Sequence, residues 1–281
     1  MALRKVQAVA STEFFHLIQT KVFQLSLVLV PAFTLALSAL SRHFAPAAPG
    51  SAGWGPSSTW VPVASMALVF LMVMLTTPQM MSSVIEEKMS RISEVLLASV
   101  SPFDLMLGKL LACCGAAMLV SSLYLGLGLG LAAYWGYSGF LSLHLVLSFA
   151  TCLILAVFLH GSIYMAVGAA CSEPKDAQGM LAPLVLLSSV PLICLPALLR
   201  DPEGGLAGAL SLFPLSAPFV LCFRVNSQAG PPGASIALSV GISLLSAFFC
   251  VWAASRIFRV ALLAQGKAPG PVQLWRWVFM D

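Results

Sequence analysis

Six long apolar stretches alternate with shorter polar segments along the chain. A bilayer core about 30 Å thick is crossed by roughly 20 residues of α-helix. The stretches that reach this length are Val22–Leu40, Trp60–Ile85, Leu110–Trp135, Leu145–Ala170, Gly179–Leu199 and Ile236–Ser255. The pattern therefore predicts an all-α fold in which residues 1–281 form one integral membrane bundle of six transmembrane helices.

The segment before the first span, residues 1–21, has the pattern of an amphipathic helix. Apolar residues recur every three or four positions from Ala2 to Thr20, which is the period of one helix face. That apolar stripe consists of Leu3, Val6, Ala10, Phe14 and Leu17. Such a helix can lie along the membrane surface, and we expect an interfacial helix here. The alternative is a cytosolic helix packed on a partner.

Basic residues indicate the orientation, because cytoplasmic loops carry an excess of Lys and Arg. With a cytoplasmic N-terminus and six spans, eleven of the fourteen basic residues lie inside, and Arg42, Arg200 and Arg224 lie outside. Both termini, including a tail over residues 256–281, are therefore predicted to be cytoplasmic in a multi-pass protein of the cell (inner or cytoplasmic) membrane. The inside set is Arg4, Lys5, Lys21, Lys88, Arg91, Lys109, Lys175, Arg256, Arg259, Lys267 and Arg276.

A seventh apolar stretch, Leu206–Phe223, is nearly long enough to cross. Pro214 and Pro218 interrupt it, and each removes a backbone donor from a helix. A full crossing would also change the basic-residue split from eleven against three to eight against six. We therefore expect residues 200–235 to form an external segment that re-enters the bundle before the last span, since irregular backbone is tolerated where protein covers it.

Composition supports membrane insertion and narrows the chemistry. The chain is 59% hydrophobic and 9% charged, against about 25% charged residues in a soluble domain. A net charge of +4 gives no case for nucleic acid as a partner. The seven cysteines form no CxxC pair and lie near no His at metal-ligand spacing. The chain also contains no GxxxxGK[ST] loop for ATP phosphates. We expect no cofactor and no metal site in this chain.

The spans carry no arrangement typical of an enzyme. His160, Ser162 and Tyr164 form a polar patch in the fourth span, for which helix–helix hydrogen bonds are the first interpretation and a ligand site the alternative. All ten acidic residues lie at span ends or in loops. Ion-driven transporters usually bind the coupling ion with carboxylates inside the membrane. We therefore predict no catalytic residues and an energy source outside the chain.

Glycines in the third span suggest a close helix contact. Gly126 and Gly130 have the GxxxG spacing that lets two membrane helices approach closely. The run from Gly126 to Leu131 weakly resembles a dinucleotide-binding loop, but it lies within a span and follows no strand. Helix packing is the preferred interpretation.

The densest polar segment, Glu86–Lys109, joins the second and third spans on the cytoplasmic side. Its first half predicts a helix, with Glu87 and Arg91 as a favourable i,i+4 pair. Ser101 then fits an N-cap, Pro102 the first helical position and Asp104 the first turn. Two helices meeting at a sharp corner suggest a docking surface, whereas the alternative is a solvated loop.

This segment resembles the signature of type-2 ABC exporter permeases, and the sodium-efflux permeases of the Nat type are the most similar. The similar positions run from Glu86-Glu87-Lys88 through Arg91, Glu94, Leu96-Leu97 and Ser99–Pro102 to Leu105 and Gly108-Lys109. The N-terminal helix, the second cytoplasmic loop (Gly168-Ala169-Ala170, then Glu173–Gln178) and the segment Phe213–Phe219 also resemble parts of these proteins. The similarity extends over nearly the whole chain.

The resemblance implies a complex of two permease subunits, identical or homologous, with two separate cytosolic ATPase subunits that bind ATP and Mg²⁺. The cytoplasmic segment would transmit ATPase motion to the spans. Its implied coupling residues are Glu86, Glu87, Arg91, Glu94, Ser101, Pro102, Asp104 and Lys109. The chain is then divided into the interfacial helix (1–21), spans 1–2 (22–85), the coupling segment (86–109), spans 3–5 (110–199), the external segment (200–235), span 6 (236–255) and the tail (256–281).

One departure concerns the substrate. Nat-type permeases commonly carry a large external domain between the first two spans, whereas only Arg42–Thr59 occupies that place here. We expect a lipophilic or amphipathic substrate rather than a bare ion. A rival interpretation is a membrane anchor or assembly component that recruits a cytosolic ATPase for mechanical work. An intramembrane enzyme is disfavoured, because no Ser/His or paired carboxylates lie together in the spans.

Overall fold

The computed structural model describes residues 2–20, 23–24, 27, 56–89, 101–134, 143–171, 174–227 and 230–263. All regular structure in this part of the chain is helical, in agreement with the all-α prediction. The helices are α1 (Ala2–Gln19), α2 (Pro56–Met89), α3 (Pro102–Tyr134), α4 (Leu143–Ala170), α5 (Pro174–Ser188), α6 (Val190–Ile193), α7 (Leu195–Arg200), α8 (Gly205–Leu212), α9 (Ala217–Val225) and α10 (Gly233–Leu263).

Four of these helices are long and apolar enough to cross a membrane. Their spanning portions are Val61–Met89, Pro102–Gly128, Leu143–Ala170 and Gly233–Val260, which correspond to the second, third, fourth and sixth predicted spans. The first predicted span, Val22–Leu40, lies outside the described residues apart from three of its positions. The described part of the chain therefore supports four spans and leaves the count of six a prediction.

The fifth predicted span, Gly179–Leu199, is not one continuous helix. Turns at Ser189 and Cys194 divide it into α5, α6 and α7. Pro191 and Pro196 follow these turns in the first positions of α6 and α7, where a proline cannot donate the backbone bond that would continue the preceding helix. Both turn residues keep right-handed helical dihedral angles, so the segment bends at each turn without reversing.

Helix α4 lies at the centre of the bundle. It packs against α2, α3, α9 and α10, and its buried face is rich in small residues such as Ala156 and Gly168. A Cβ at Gly168 would lie 2.8 Å from the backbone oxygen of Met81 on α2. Because that contact is with backbone, the close approach of α2 and α4 requires a residue without a side chain here.

Helix α1 packs lengthwise along the first half of α3. A Cβ at Gly108 would lie 2.7 Å from Val9, and one at Gly115 would lie 3.2 Å from the ring of Phe14. Residue numbers rise along both helices from the first of these contacts to the second, so α1 runs parallel to α3. Val6 and Leu17 of the apolar stripe are buried against protein, and the interfacial position of the helix stays a prediction.

The segment after α7 folds into two short helices, α8 and α9. Pro214 lies in the break between them, and Pro218 lies in the first turn of α9. Helix α9 packs antiparallel to α4: Ser148, early in α4, donates a hydrogen bond of 3.1 Å to Asn226 Oδ1 after the end of α9. At the start of α9, the ring of Phe219 lies 5.1 Å from His160 near the middle of α4. The start of α9 therefore lies beside the middle of α4.

Candidate functional site

Helix α3 begins at a well-formed cap. Ser101 precedes the helix, and its Oγ accepts a hydrogen bond of 3.1 Å from the backbone N–H of Asp104. Pro102 is the first helical residue, where its missing N–H is not needed. Asp104 lies in the first turn, where a negative charge suits the helix dipole. Since such a cap stabilises a helix by about 1 kcal/mol, the start of α3 is held firmly at the corner.

Lys109, two turns further along α3, is the centre of a buried charge cluster. Its Nζ lies 2.8 Å from Glu13 Oε1 on α1 and 2.7 Å from Glu87 Oε1 on α2. It also donates a hydrogen bond of 2.6 Å to Ser83 Oγ on α2. These three acceptors match the three donors of an ammonium group. We call Glu13, Ser83, Glu87 and Lys109 the buried joint, because one side chain connects three helices.

The burial of Lys109 makes the buried joint difficult to break. The Lys109 side chain is 0% exposed, whereas those of Glu13 and Glu87 are 15% and 16% exposed. A buried charge that loses its partner typically costs about 3–5 kcal/mol, because neither water nor another charge compensates it. The ion pairs therefore hold α1, α2 and α3 together, and loss of the Lys109 cation would leave two carboxylates without a charged partner.

The structure places the predicted coupling residues in two groups. Glu87 and Lys109, which the sequence assigns to the ATPase-facing surface, point inward into the buried joint, because Lys109 is enclosed by three helices. Glu86 and Ser101 are exposed and Asp104 is half-buried. Arg91 and Glu94, and with them the predicted Glu87–Arg91 pair, lie outside the described residues.

Glu13 and Lys88 are functional-site candidates that sequence reasoning did not select. Glu13 is three residues after Ala10 and four before Leu17, so it lies on the apolar stripe of α1. A carboxylate on a buried stripe requires a cationic partner, and that signal was available. The partner itself, Lys109, is 96 residues away in sequence and could not be identified from local spacing.

Lys88 caps the end of the central helix. Its Nζ donates hydrogen bonds of 2.9 Å to the backbone oxygen of Ala169 and 3.2 Å to that of Cys171, satisfying carbonyls that the helix end leaves free. Desolvation and the nearby carboxylate of Asp176 raise the pKa of the Cys171 thiol, so this thiol stays protonated at neutral pH. Adjacent residues on a helix point about 100° apart, so Glu87 and Lys88 bind different neighbours, α3 and α4.

The glycines predicted to pack helices have no neighbour in the described part of the chain. A Cβ at Gly126 or Gly130 would meet nothing within 4 Å. Both residues are exposed on α3, next to exposed leucines such as Leu123 and Leu127. The close-packing prediction therefore finds no partner among the described residues and stays a prediction.

The external segment contains a second buried cation. Arg224 on α9 is 3% exposed, although the sequence places it among three external basic residues. Its guanidinium donates hydrogen bonds to the Pro202 backbone oxygen (3.1 Å), Ser211 Oγ (2.8 Å) and Glu203 Oε2 (3.2 Å). Arg224 thus ties α9 to α8 and to the turn before α8, which fixes the two short helices as one unit.

The polar patch of the fourth span is enclosed by the bundle. His160 Nδ1 lies 3.0 Å from the Ala156 backbone oxygen one turn earlier, which is the partner expected for an N–H donor at that atom. The Ser162 hydroxyl likewise bonds back to carbonyls of α4. Within the described residues, no group of three or more His, Cys, Asp or Glu side chains could hold a metal ion. The hydrogen bonds of His160 Nδ1 and of the Ser162 hydroxyl are therefore made within α4 itself.

Comparison with known proteins connects this architecture to a family. Residues 55–256 match the family described as ABC-2 family transporter protein. The uncharacterized protein MJ1024 of Methanocaldococcus jannaschii is 25% identical over 206 residues, which cover 73% of this chain and 50% of that protein. The uncharacterized protein YhaP of Bacillus subtilis is 26% identical over 215 residues, covering 72% and 51%. The chain spans about half the length of these curated relatives.

The match and the fold agree with each other. The matched residues include α2 to α9 and most of α10, which contain all four membrane-spanning helices described above. Apolar helices of this length identify a multi-pass membrane protein. The chain therefore belongs to the ABC-2 family of transporter proteins.

Proposed function

We propose that this chain is the permease subunit of an exporter driven by separate cytosolic ATPase subunits. The family implies an ABC ATPase partner in general. In the fuller assembly that we propose, two ATPase subunits bind ATP and Mg²⁺, and two permease subunits form the path across the cytoplasmic membrane. The permease itself carries out no chemistry and moves its substrate outward.

The observation that carries this proposal is the way the start of α3 is capped and held to α1 and α2. The Ser101 cap fixes the start of α3, and Lys109 connects that start to α1 and α2. A force applied to the corner would therefore move three helices together instead of being absorbed by fraying. The exposed residues Glu86 and Ser101, with Arg91 and Glu94 in the same segment, are the proposed ATPase contacts.

The proposed topology has six spans and cytoplasmic termini. It rests on the eleven-to-three distribution of basic residues and on the four spans described. The bent segment α5–α7 would be the fifth span, and the pair α8–α9 would enter from outside without crossing. The position of Phe219 beside Phe70 and His160 supports such re-entry, because both partners lie near the middle of span helices.

The substrate proposal follows the composition of the helices. Exposed leucines and phenylalanines dominate the outward faces of α3, α4 and α10, so a path between two permease subunits would be largely apolar. The face of α3 with Gly126 and Gly130 would be open to the second subunit as far as the described residues extend. A lipophilic or amphipathic substrate suits this surface better than sodium, the substrate of the Nat-type permeases that the sequence resembles.

Isolation of the complex from native membranes tests the proposal. An affinity-tagged chain should co-purify with a P-loop ATPase, and reconstitution of the two should give ATP-dependent outward flux of native lipid or of an amphipathic dye. If the ATPase is bound and hydrolyses ATP but no flux of any probe occurs, the anchoring or assembly role is supported instead. If no ATPase is recovered under conditions that preserve the membrane complex, the proposed function is wrong.

A further inference from the structure

We infer that α1 is part of the force path between the ATPase and the spans, and that Glu13 and Lys109 are positioning residues that make α1 and α3 move as one body. This inference deepens the proposed function and rests on it. The sequence-based prediction names Lys109 only as one of the coupling residues of the Glu86–Lys109 segment. The structure instead uses Lys109 to attach a separate helix to the coupling corner.

The first support is the way the ammonium group is satisfied. All three donors of Lys109 have acceptors within 2.8 Å, and these acceptors come from α1 and α2. The side chain is 0% exposed, so it has no surface to offer a partner. A residue in this position can influence the partner only through the helices that it connects.

The second support is steric and independent of charge. Gly108, the neighbour of Lys109, brings the α3 backbone against Val9, where an added Cβ would lie 2.9 Å from the Val9 Cβ. About two turns further along α3, Gly115 lies against the Phe14 ring. The helices therefore touch on both sides of the Lys109–Glu13 ion pair, and sliding of one along the other would break all three contacts.

The third support is that α1 also reaches α2. Thr20, just after α1, places its Oγ1 3.5 Å from Gln79 Oε1, and Glu87 shares Lys109 with Glu13. The N-terminal segment is thus connected to α2 at two positions, at Glu13 through Lys109 and at Thr20 through Gln79. Since α2 and α3 are the two helices joined by the coupling segment, α1 closes the corner on its third side.

The exposed face of α1 then becomes a second surface through which motion can enter. That face carries the polar residues Arg4, Gln7, Ser11 and His16 and one large apolar residue, Phe15, which is 64% exposed. It leads directly to α3 through the buried joint, without passing through the Glu86–Ser101 segment. An ATPase subunit that touches this face would act on α3 through the buried joint.

A reversible tether tests the inference in the complete complex with its ATPase. Cysteines replace Val9 and Gly108, and the disulfide is formed and then reduced in the same preparation. The short Cβ separation there requires a shift of about 1 Å to reach the roughly 3.8 Å of an ordinary disulfide. Trapping the complex with ATP and vanadate should change hydrogen exchange in α9. We expect this change to be the same with the disulfide oxidised or reduced, because α1 and α3 do not move relative to each other.

The decisive arm combines this tether with Glu13→Ala. That variant removes the ion pair between α1 and α3 while Lys109 keeps Glu87 as a charged partner, so we expect the protein to fold. We expect loss of most of the ATP-dependent response in α9 when the tether is reduced, and its recovery when the tether is oxidised. Lys88→Met is the matched control: it removes the cap of α4, so the tether should not repair whatever defect it causes. Oxidation of Glu13→Ala without the added cysteines controls for the native thiols.

Two results would overturn the inference while leaving the proposed function intact. One is a full response of Glu13→Ala with the tether reduced; the other is loss of the response in the otherwise parental chain when the tether is oxidised. If the parental chain binds no ATPase, or binds one and shows no response in α9, the proposed function has failed instead.

Discussion

Lys109 Nζ lies 2.7 Å from Glu87 Oε1, although the two residues belong to different helices, α3 and α2, which residues 90–101 join. The same ammonium group binds Glu13 of α1 at 2.8 Å. A single buried cation therefore fixes the relative positions of the three helices that meet at the corner. In the proposed function, the stability of the protein and its coupling to the ATPase depend on this same side chain.

Replacement of Lys109 by Met should strongly destabilise the protein. The methionine fills similar volume but leaves Glu13 and Glu87 facing each other without a cation, and loss of one partner from a buried ion pair costs about 3–5 kcal/mol. Thermal unfolding of detergent-purified protein measures the effect. Lys175→Met at an exposed position is the control and should change stability by no more than about 0.5 kcal/mol. Equal melting temperatures for the two variants would contradict the buried joint.

Two glycine-to-alanine substitutions should have opposite effects. Gly168→Ala places a Cβ 2.8 Å from the Met81 backbone oxygen, and such overpacking costs about 1–3 kcal/mol. Gly179→Ala, on an exposed face of α5 with nothing within 4 Å, should stabilise its helix by roughly 0.5–1 kcal/mol. The same unfolding assay compares them. A stabilising effect of Gly168→Ala would show that α2 and α4 are further apart than described.

Local patterns in the sequence predict the long helices and the cap, whereas the buried contacts depend on tertiary structure. Hydropathy locates α2, α3, α4 and α10 because each is a continuous apolar run, and Ser101 is identifiable because its cap partner Asp104 is three residues away. The bends at Ser189 and Cys194 were missed, although Pro191 and Pro196 mark them, because a hydropathy window averages over prolines.

The partners of the charged residues explain the remaining differences between the sequence-based predictions and the structure. Glu86, Glu87 and Lys88 are consecutive, yet the first is exposed, the second binds Lys109 and the third caps α4. The position of each residue around α2 decides in which direction its side chain points. The partner that it meets depends on which helix packs against that side of α2. Arg224 likewise counts as an external basic residue in sequence but is buried among Pro202, Glu203 and Ser211.

Replacement of Arg224 by Gln should loosen α8 and α9 without unfolding the long helices. The substitution removes the ion pair with Glu203 and the contact with Pro202, so the two short helices lose their common anchor. Hydrogen exchange followed by mass spectrometry should show faster exchange in α9 and unchanged exchange in α2. Arg200→Gln at an exposed position serves as the control. Unchanged exchange in α9 would show that Arg224 is not its anchor.

Cysteine labelling tests the proposed orientation. A cysteine at Ser11, which is exposed on α1, and one at Ala268 in the tail should both be protected from a membrane-impermeant maleimide in intact cells. Both should react after the membrane is opened, because eleven of fourteen basic residues favour cytoplasmic termini. Pro232→Cys, before α10 on the proposed outer side, is the matched control and should react in intact cells. Reaction at Ala268 from outside would contradict the six-span topology.

The most direct test of the account is whether a loosened corner uncouples the spans from ATP. The variant Ser101→Ala/Pro102→Gly removes the cap and the proline of α3, while Pro232→Gly makes the same proline substitution before α10. In the reconstituted complex, trapping with ATP and vanadate should change hydrogen exchange in α9 of the parent and of the Pro232→Gly variant. The corner variant should bind and hydrolyse ATP without that change. An undiminished response of α9 in the corner variant would contradict coupling through the start of α3.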